Sequence, residues 1–238
     1  MPPTIFLLPG LLCDEFVWRD QSAALRECAD VIIPDFRNLS SITAMAEVVL
    51  AAAPMRFSLA GHSMGARVAL EIVRRARERV ERLALLDTGI HPRGPAEEAK
   101  RGALVDLARN EGMAVMAAQW LPPMLHPGHL SLLPALTEMV MRSTPESFAG
   151  QQKALLDRPN AREVLPIIQC PTLVLCGRED RWSPVSQHEE MAAAIPHAKL
   201  VVIDDCGHMA PVEQPRGVTE ALLEWIRSGN LQDQALQV

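Results

Sequence analysis

The chain has 238 residues, 48% of them apolar and 22% charged, with a formal net charge of −6. That supports one large domain carrying an insertion and excludes a disordered or low-complexity chain. The mildly acidic balance gives no electrostatic reason to bind nucleic acid or an anionic membrane.

The N-terminal "MPPTIFLLPGLL" lacks the basic segment and small-residue cleavage site of a signal peptide and reads as a first strand, 4–8. Further short apolar runs at 30–34, 57–60, 82–87, 172–177 and 199–204 also read as strands. They are apolar on both faces, as in a parallel sheet covered by helices on both sides. Helical patterns alternate with them, at 17–28, 42–52, 64–77, 185–194 and 215–227. The fold class expected is therefore α/β, a mostly parallel central sheet flanked by helices. The rhythm breaks between 91 and 163, where helical patterns punctuated by Pro and Gly show no convincing strand. This segment reads as a helical cap over a core made of 1–90 and 164–229, with the polar tail 230–238 expected to fray. The cap holds five of the eleven methionines and equal numbers of basic and acidic residues, eight of each. Methionine adapts to irregular apolar shapes, so the cap favours a fairly apolar substrate. Arg74, Arg75, Arg77, Arg79 and Arg82 cluster near a predicted helix C-terminus and read as a solvated face. The five cysteines form neither a CxxC pair nor a zinc spacing, and no apolar run approaches the roughly 20 residues that span a bilayer. Reduced thiols in a cytoplasmic protein are the simplest reading.

In "FSLAGHSMGARVALEIV" a strand ends and a helix begins around Ser63, with Gly61 and Gly65 on either side. A turn that sharp strains its central residue. Side chains at the two flanking positions would strike the neighbouring elements, so glycines there allow the serine to be presented. G-x-S-x-G between strand and helix is the nucleophile-elbow motif, and the Met64 amide can donate to an oxyanion beside it. A serine needs a base, and the base an orienting acid. His208 lies in the loop between the last predicted strand and helix. His62 is too close in sequence to reach back, His91, His126 and His129 belong to the insertion, and His188 and His197 lie in or just after a helix. Asp180 follows a strand through a glycine turn and is the preferred acid. Asp87 is its rival, Asp204 and Asp205 read as solvated, and Glu179 is expected to point away.

"GHSMG", "CGREDRWSP" and "CGHMAPVEQP" resemble, in order and spacing, the nucleophile, acid and histidine segments of α/β-hydrolases of the compact, capped type. The resemblance covers nearly the whole chain. It implies that Leu11, in the first-strand loop "LLPGLLCDEFVW", supplies the second oxyanion amide; Pro9 stands where the family usually has histidine, and Trp18 where it often has tryptophan. It further implies that Ser63 attacks an acyl carbonyl, His208 shuttles the proton, and water releases the acid, with no metal or organic cofactor. Members with an aspartate nucleophile are excluded by Ser63, and those that need tyrosine by its absence. The expected activity is carboxylesterase-like, on a small to medium, fairly apolar ester. Alternatives are a thioester, a carbon–carbon bond, or an enol-lactone such as 3-oxoadipate enol-lactonases cleave, and, from another class, a ligand receptor without catalysis. Leu12, Trp120, Met124, Trp182 and Met209 are the expected substrate contacts.

Overall fold

A computed structural model describes residues 2–228; the tail expected to fray, 230–238, lies outside the described residues. Six strands form one sheet: β1 (Thr4–Leu8), β2 (Asp30–Ile32), β3 (Phe57–His62), β4 (Val80–Leu86), β5 (Thr172–Gly177) and β6 (Lys199–Ile203). Their order is β2-β1-β3-β4-β5-β6 and every pairing is parallel. β3 and β5 are buried along their whole length, whereas edge strand β6 is partly open, which is why the central strands read as continuous apolar runs. The core helices are α1 (Arg19–Leu25), α2 (Ile42–Ala52), α3 (Met64–Ala76), α8 (Val185–Ala194), α9 (Ala210–Glu213) and α10 (Pro215–Arg227). α3 packs on β1, β3 and β4 and against α2, while α10 packs on β4 to β6 and against α1. Between β4 and β5, in the segment expected to form the cap, lie α4 (Glu97–Glu111), α5 (Met113–Trp120), α6 (Leu133–Met141) and α7 (Pro145–Leu156).

The chain runs from β1 outward to β2, then returns past β1 to β3. That reversal leaves a crevice at the carboxyl ends of β1 and β3, where open α/β sheets place their sites. Leu8 pairs with Gly61 there, so the first-strand loop and Ser63 emerge side by side.

Local differences from the sequence reading have local causes. The helix expected at 17–28 is shorter: Asp14 caps a 3-10 turn over Glu15–Trp18, α1 follows, and the chain turns after Leu25 to meet Pro3 at Asp30. The arginine cluster is not merely solvated. Arg74 and Arg75 pair with buried Glu71, and Arg79 donates to the carbonyls of Leu50 and Ala53 that end α2. All five cysteines are free, and no described helix is long and apolar enough to cross a membrane.

Candidate active site

Ser63 sits between β3 and α3 with φ 53° and ψ −112°, a region non-glycine residues rarely occupy. The turn has no room to relax. A Cβ on Gly61 would lie 2.5 Å from the Ala66 backbone, and one on Gly65 2.1 Å from the Leu8 carbonyl oxygen. The Ser63 amide donates to the Leu86 carbonyl and Thr88 Oγ1 donates to the Ser63 carbonyl, so β4 and the loop after it fix the elbow from the other side.

Ser63 Oγ lies 2.9 Å from His208 Nε2, and His208 Nδ1 lies 2.8 Å from Asp180 Oδ2. The other Asp180 oxygen accepts the amides of Trp182 and Ser183. With Nδ1–H given to the carboxylate, Nε2 offers its lone pair to the hydroxyl. Burial pushes the Asp180 carboxyl up, but the charge and hydrogen bond of His208 and the two amides outweigh it and hold its pKa below the ordinary value. Asp87 is placed otherwise. Its oxygens accept the amides of Gly177 and Ala210, each at 3.1 Å, and its nearest imidazole is that of His62, at 3.7 Å. Burial, then the charge of Asp180, push its pKa well above the carboxylate range. Two neighbouring carboxyls pushed in opposite directions mark different roles, and Asp180 is the one suited to hold an imidazolium. Asp180→Asn should therefore lower kcat by about 10⁴, and Asp87→Asn by less. The reverse ranking, with both variants folded by circular dichroism, would move the acid to Asp87. Glu179 points away as expected, accepting the Cys206 amide at 2.9 Å.

Three positioning residues escaped the sequence reading. Glu213, buried at 4% exposure, accepts the amides of Gly207, Met209 and His126 at 2.7–3.1 Å, clasping the loop that carries His208. His62 Nε2 donates to the His208 carbonyl at 2.9 Å; burial, then the charge of His208, pull its pKa down to about 3, so it stays neutral. Gln151 of α7 accepts the Leu12 amide and donates to the Phe36 carbonyl, tying the first-strand loop to the cap. The motif histidine and the "CGHMAPVEQP" glutamate could have been singled out by their place beside the site residues. Gln151 carries no sequence signal.

A cavity of about 330 Å³ opens on Ser63 and His208, within the usual size of a small-ligand pocket. Leu11 and Met64 line it, and neither amide has an acceptor among the described residues, as suits donors waiting for an oxyanion. Trp120, Met124, Trp182 and Met209 line it too. The Trp182 ring stands 5.8 Å from that of His208 and edge-on to Trp120. Leu12 is the exception: its backbone is left-handed, with φ 57°, its side chain is buried in the core, and it does not line the cavity. Cys13 also lines the wall, but burial and Asp14 push its thiol up to about 12, so it is protonated at neutral pH.

An esterase from Thermogutta terrifontis, solved with malate bound, is 31% identical, with a TM-score of 0.88 over 94% of this chain and 89% of that one. The enol-lactonase of Burkholderia xenovorans LB400 is 25% identical, with a TM-score of 0.84 over 96% and 92%. A pimeloyl-[acyl-carrier protein] methyl ester esterase of Nitrosomonas europaea is 27% identical over 78% of this chain and 73% of its own. With the alpha/beta hydrolase family matched across residues 5–221, the chain belongs to that family and is a hydrolase.

Proposed function

We propose that the protein is a serine esterase that cleaves a small to medium carboxylic ester through an acyl-enzyme on Ser63. The observation that carries this reading is the unbroken chain of hydrogen bonds Ser63–His208–Asp180, at 2.9 and 2.8 Å. His208 takes the Ser63 proton as Oγ attacks the ester carbonyl. The amides of Leu11 and Met64 receive the oxyanion. His208 then returns the proton to the leaving alcohol, and a water activated by the same imidazole releases the acid. Trp120, Met124, Trp182 and Met209 supply the apolar wall against which the substrate's carbon chain rests.

The same groups would open a lactone, and the likeness to an enol-lactonase favours that as the second reading. Intact mass after treatment with a fluorophosphonate, followed by peptide mapping, tests both at once. One adduct on Ser63, absent in His208→Ala, is the expected result. A folded protein that takes no adduct would mean a disabled serine and return the receptor reading to the front. Relative turnover of an aryl ester and an enol-lactone then decides between the two hydrolytic readings.

A further inference from the structure

The cavity has a cationic wall that Ser63, His208 and Asp180 do not use. Arg67 of α3 and Arg101 and Arg158 of the cap line it, against one lining carboxylate, Glu97. Glu97 is fully engaged: it accepts Arg101 Nε at 2.8 Å and the Arg158 fork at 2.7 and 2.8 Å. Its pKa falls to about 2, because the bonds and charges of Arg158 and Arg101 overcome the opposing effect of burial. Among the described residues no carboxylate pairs with Arg67. Its Nη2 reaches only the His91 carbonyl, at 3.4 Å, an oxygen already shared with Arg158, and its Nη1 is buried with no partner among the described residues. Glu71, one turn further along α3, is held by Arg74 and Arg75. Glu190, which reaches His91, is paired with Arg162.

Three cations facing one anion leave two positive charges in a partly closed space, where unpaired charge is costly. Burial, then the like charge of Arg158, push the Arg67 guanidinium down to about 9, which leaves it charged at neutral pH. A guanidinium in that position lacks a counter-anion. Arg67 also follows Ser63 by four residues on one helix, about 6 Å of rise, so an anion bound there belongs to whatever Ser63 meets. We propose that Arg67, flanked by Arg101 and Arg158, binds a carboxylate of the substrate, so that the enzyme acts on acidic esters with the scissile carbonyl at Ser63. A carboxylate fits better than a phosphate: it is planar, matches the guanidinium edge, and as a monoanion is repelled less by Glu97. The even charge count of the cap hid its part of this, because Arg101 and Arg158 face the cavity while Glu97 is the one cap acid that lines it, and Arg67 lies outside the cap. The inference rests on the esterase reading of Ser63 and revises the substrate from fairly apolar to apolar with one acidic end.

Two matched pairs test it, with kcat/KM measured by pH-stat titration. Monomethyl adipate against methyl hexanoate puts the carboxylate on the acyl side; 4-acetoxybutyrate against butyl acetate puts it on the leaving side. The acidic member of one pair should be preferred about ten- to hundredfold, the value of a hydrogen-bonded charge. That ratio should fall towards unity in Arg67→Gln and recover in part in Arg67→Lys. Wild-type enzyme that treats the acidic members of both pairs no better than the neutral ones overturns the proposal, whether or not the variant folds. So does a preference that survives Arg67→Gln. Should no ester be turned over, adipate is titrated into the wild-type protein by calorimetry. Binding that weakens at least tenfold in Arg67→Gln would keep the carboxylate subsite and reject the esterase reading; absence of binding would reject the subsite.

Discussion

Ser63→Ala is expected to lower kcat by about 10⁴–10⁶, and His208→Ala by a similar factor. The reason is that in the proposed mechanism the two side chains perform one step. A serine hydroxyl is a weak nucleophile at neutral pH, and the proposal makes Nε2, at 2.9 Å, the base that takes its proton. Removing either partner removes the same attack, so the double variant should be little worse than the worse single one. The fold should survive Ser63→Ala. Alanine meets the same φ of 53° that serine already tolerates, and the elbow's backbone bonds to Leu86 and Thr88 do not involve the serine side chain. The measurement is kcat for a saturating nitrophenyl ester beside an unfolding midpoint. If Ser63→Ala keeps more than about one per cent of kcat with an unchanged midpoint, the nucleophile lies elsewhere.

Much of this was legible in the sequence because it rests on short-range constraints. The strands were visible because a sheet covered on both faces needs unbroken apolar runs, as in the fully buried β3 and β5. The elbow was visible because steric exclusion at Gly61 and Gly65 is written into the residue type. Asp180 and His208 stood out because each follows a strand into a loop at the carboxyl edge of the sheet. Asp87 shares that property, and its separate role became clear only from where its oxygens point.

The unreadable part of the site consists of contacts between distant segments. Gln151 reaches Leu12 across 139 positions and Glu213 reaches His126 across 87. Nothing in either residue's own neighbourhood encodes the partner. The same holds for Arg67, Arg101 and Arg158, which meet at one wall only after the cap folds over α3. Leu12 shows the converse. It is an expected substrate contact, but a left-handed backbone turns the residue into the core and gives its amide to Gln151.

Glu213→Ala should destabilise the protein by about 3–5 kcal/mol, the scale of three amides left without an acceptor, less what relaxation recovers. The carboxylate accepts three amides, from Gly207, Met209 and His126, and none has another acceptor among the described residues. Each buried amide left bare costs about 1–3 kcal/mol, and relaxation or entering water recovers part of the sum. For a chain of this size that corresponds to a fall of about 10 °C in the unfolding midpoint. Activity should fall as well, through kcat more than KM, because the clasp holds the segment that places His208 rather than a residue that touches substrate. Glu213→Gln keeps one acceptor oxygen and should lose less on both measures. The His208 amide adds a second tie, to the Met124 carbonyl at 2.7 Å, and the His129 imidazole a third, to the Asp205 carbonyl at 3.0 Å. If Glu213→Ala lowered the midpoint but left kcat intact, those two remaining ties would suffice to place the imidazole, and Glu213 would serve stability alone.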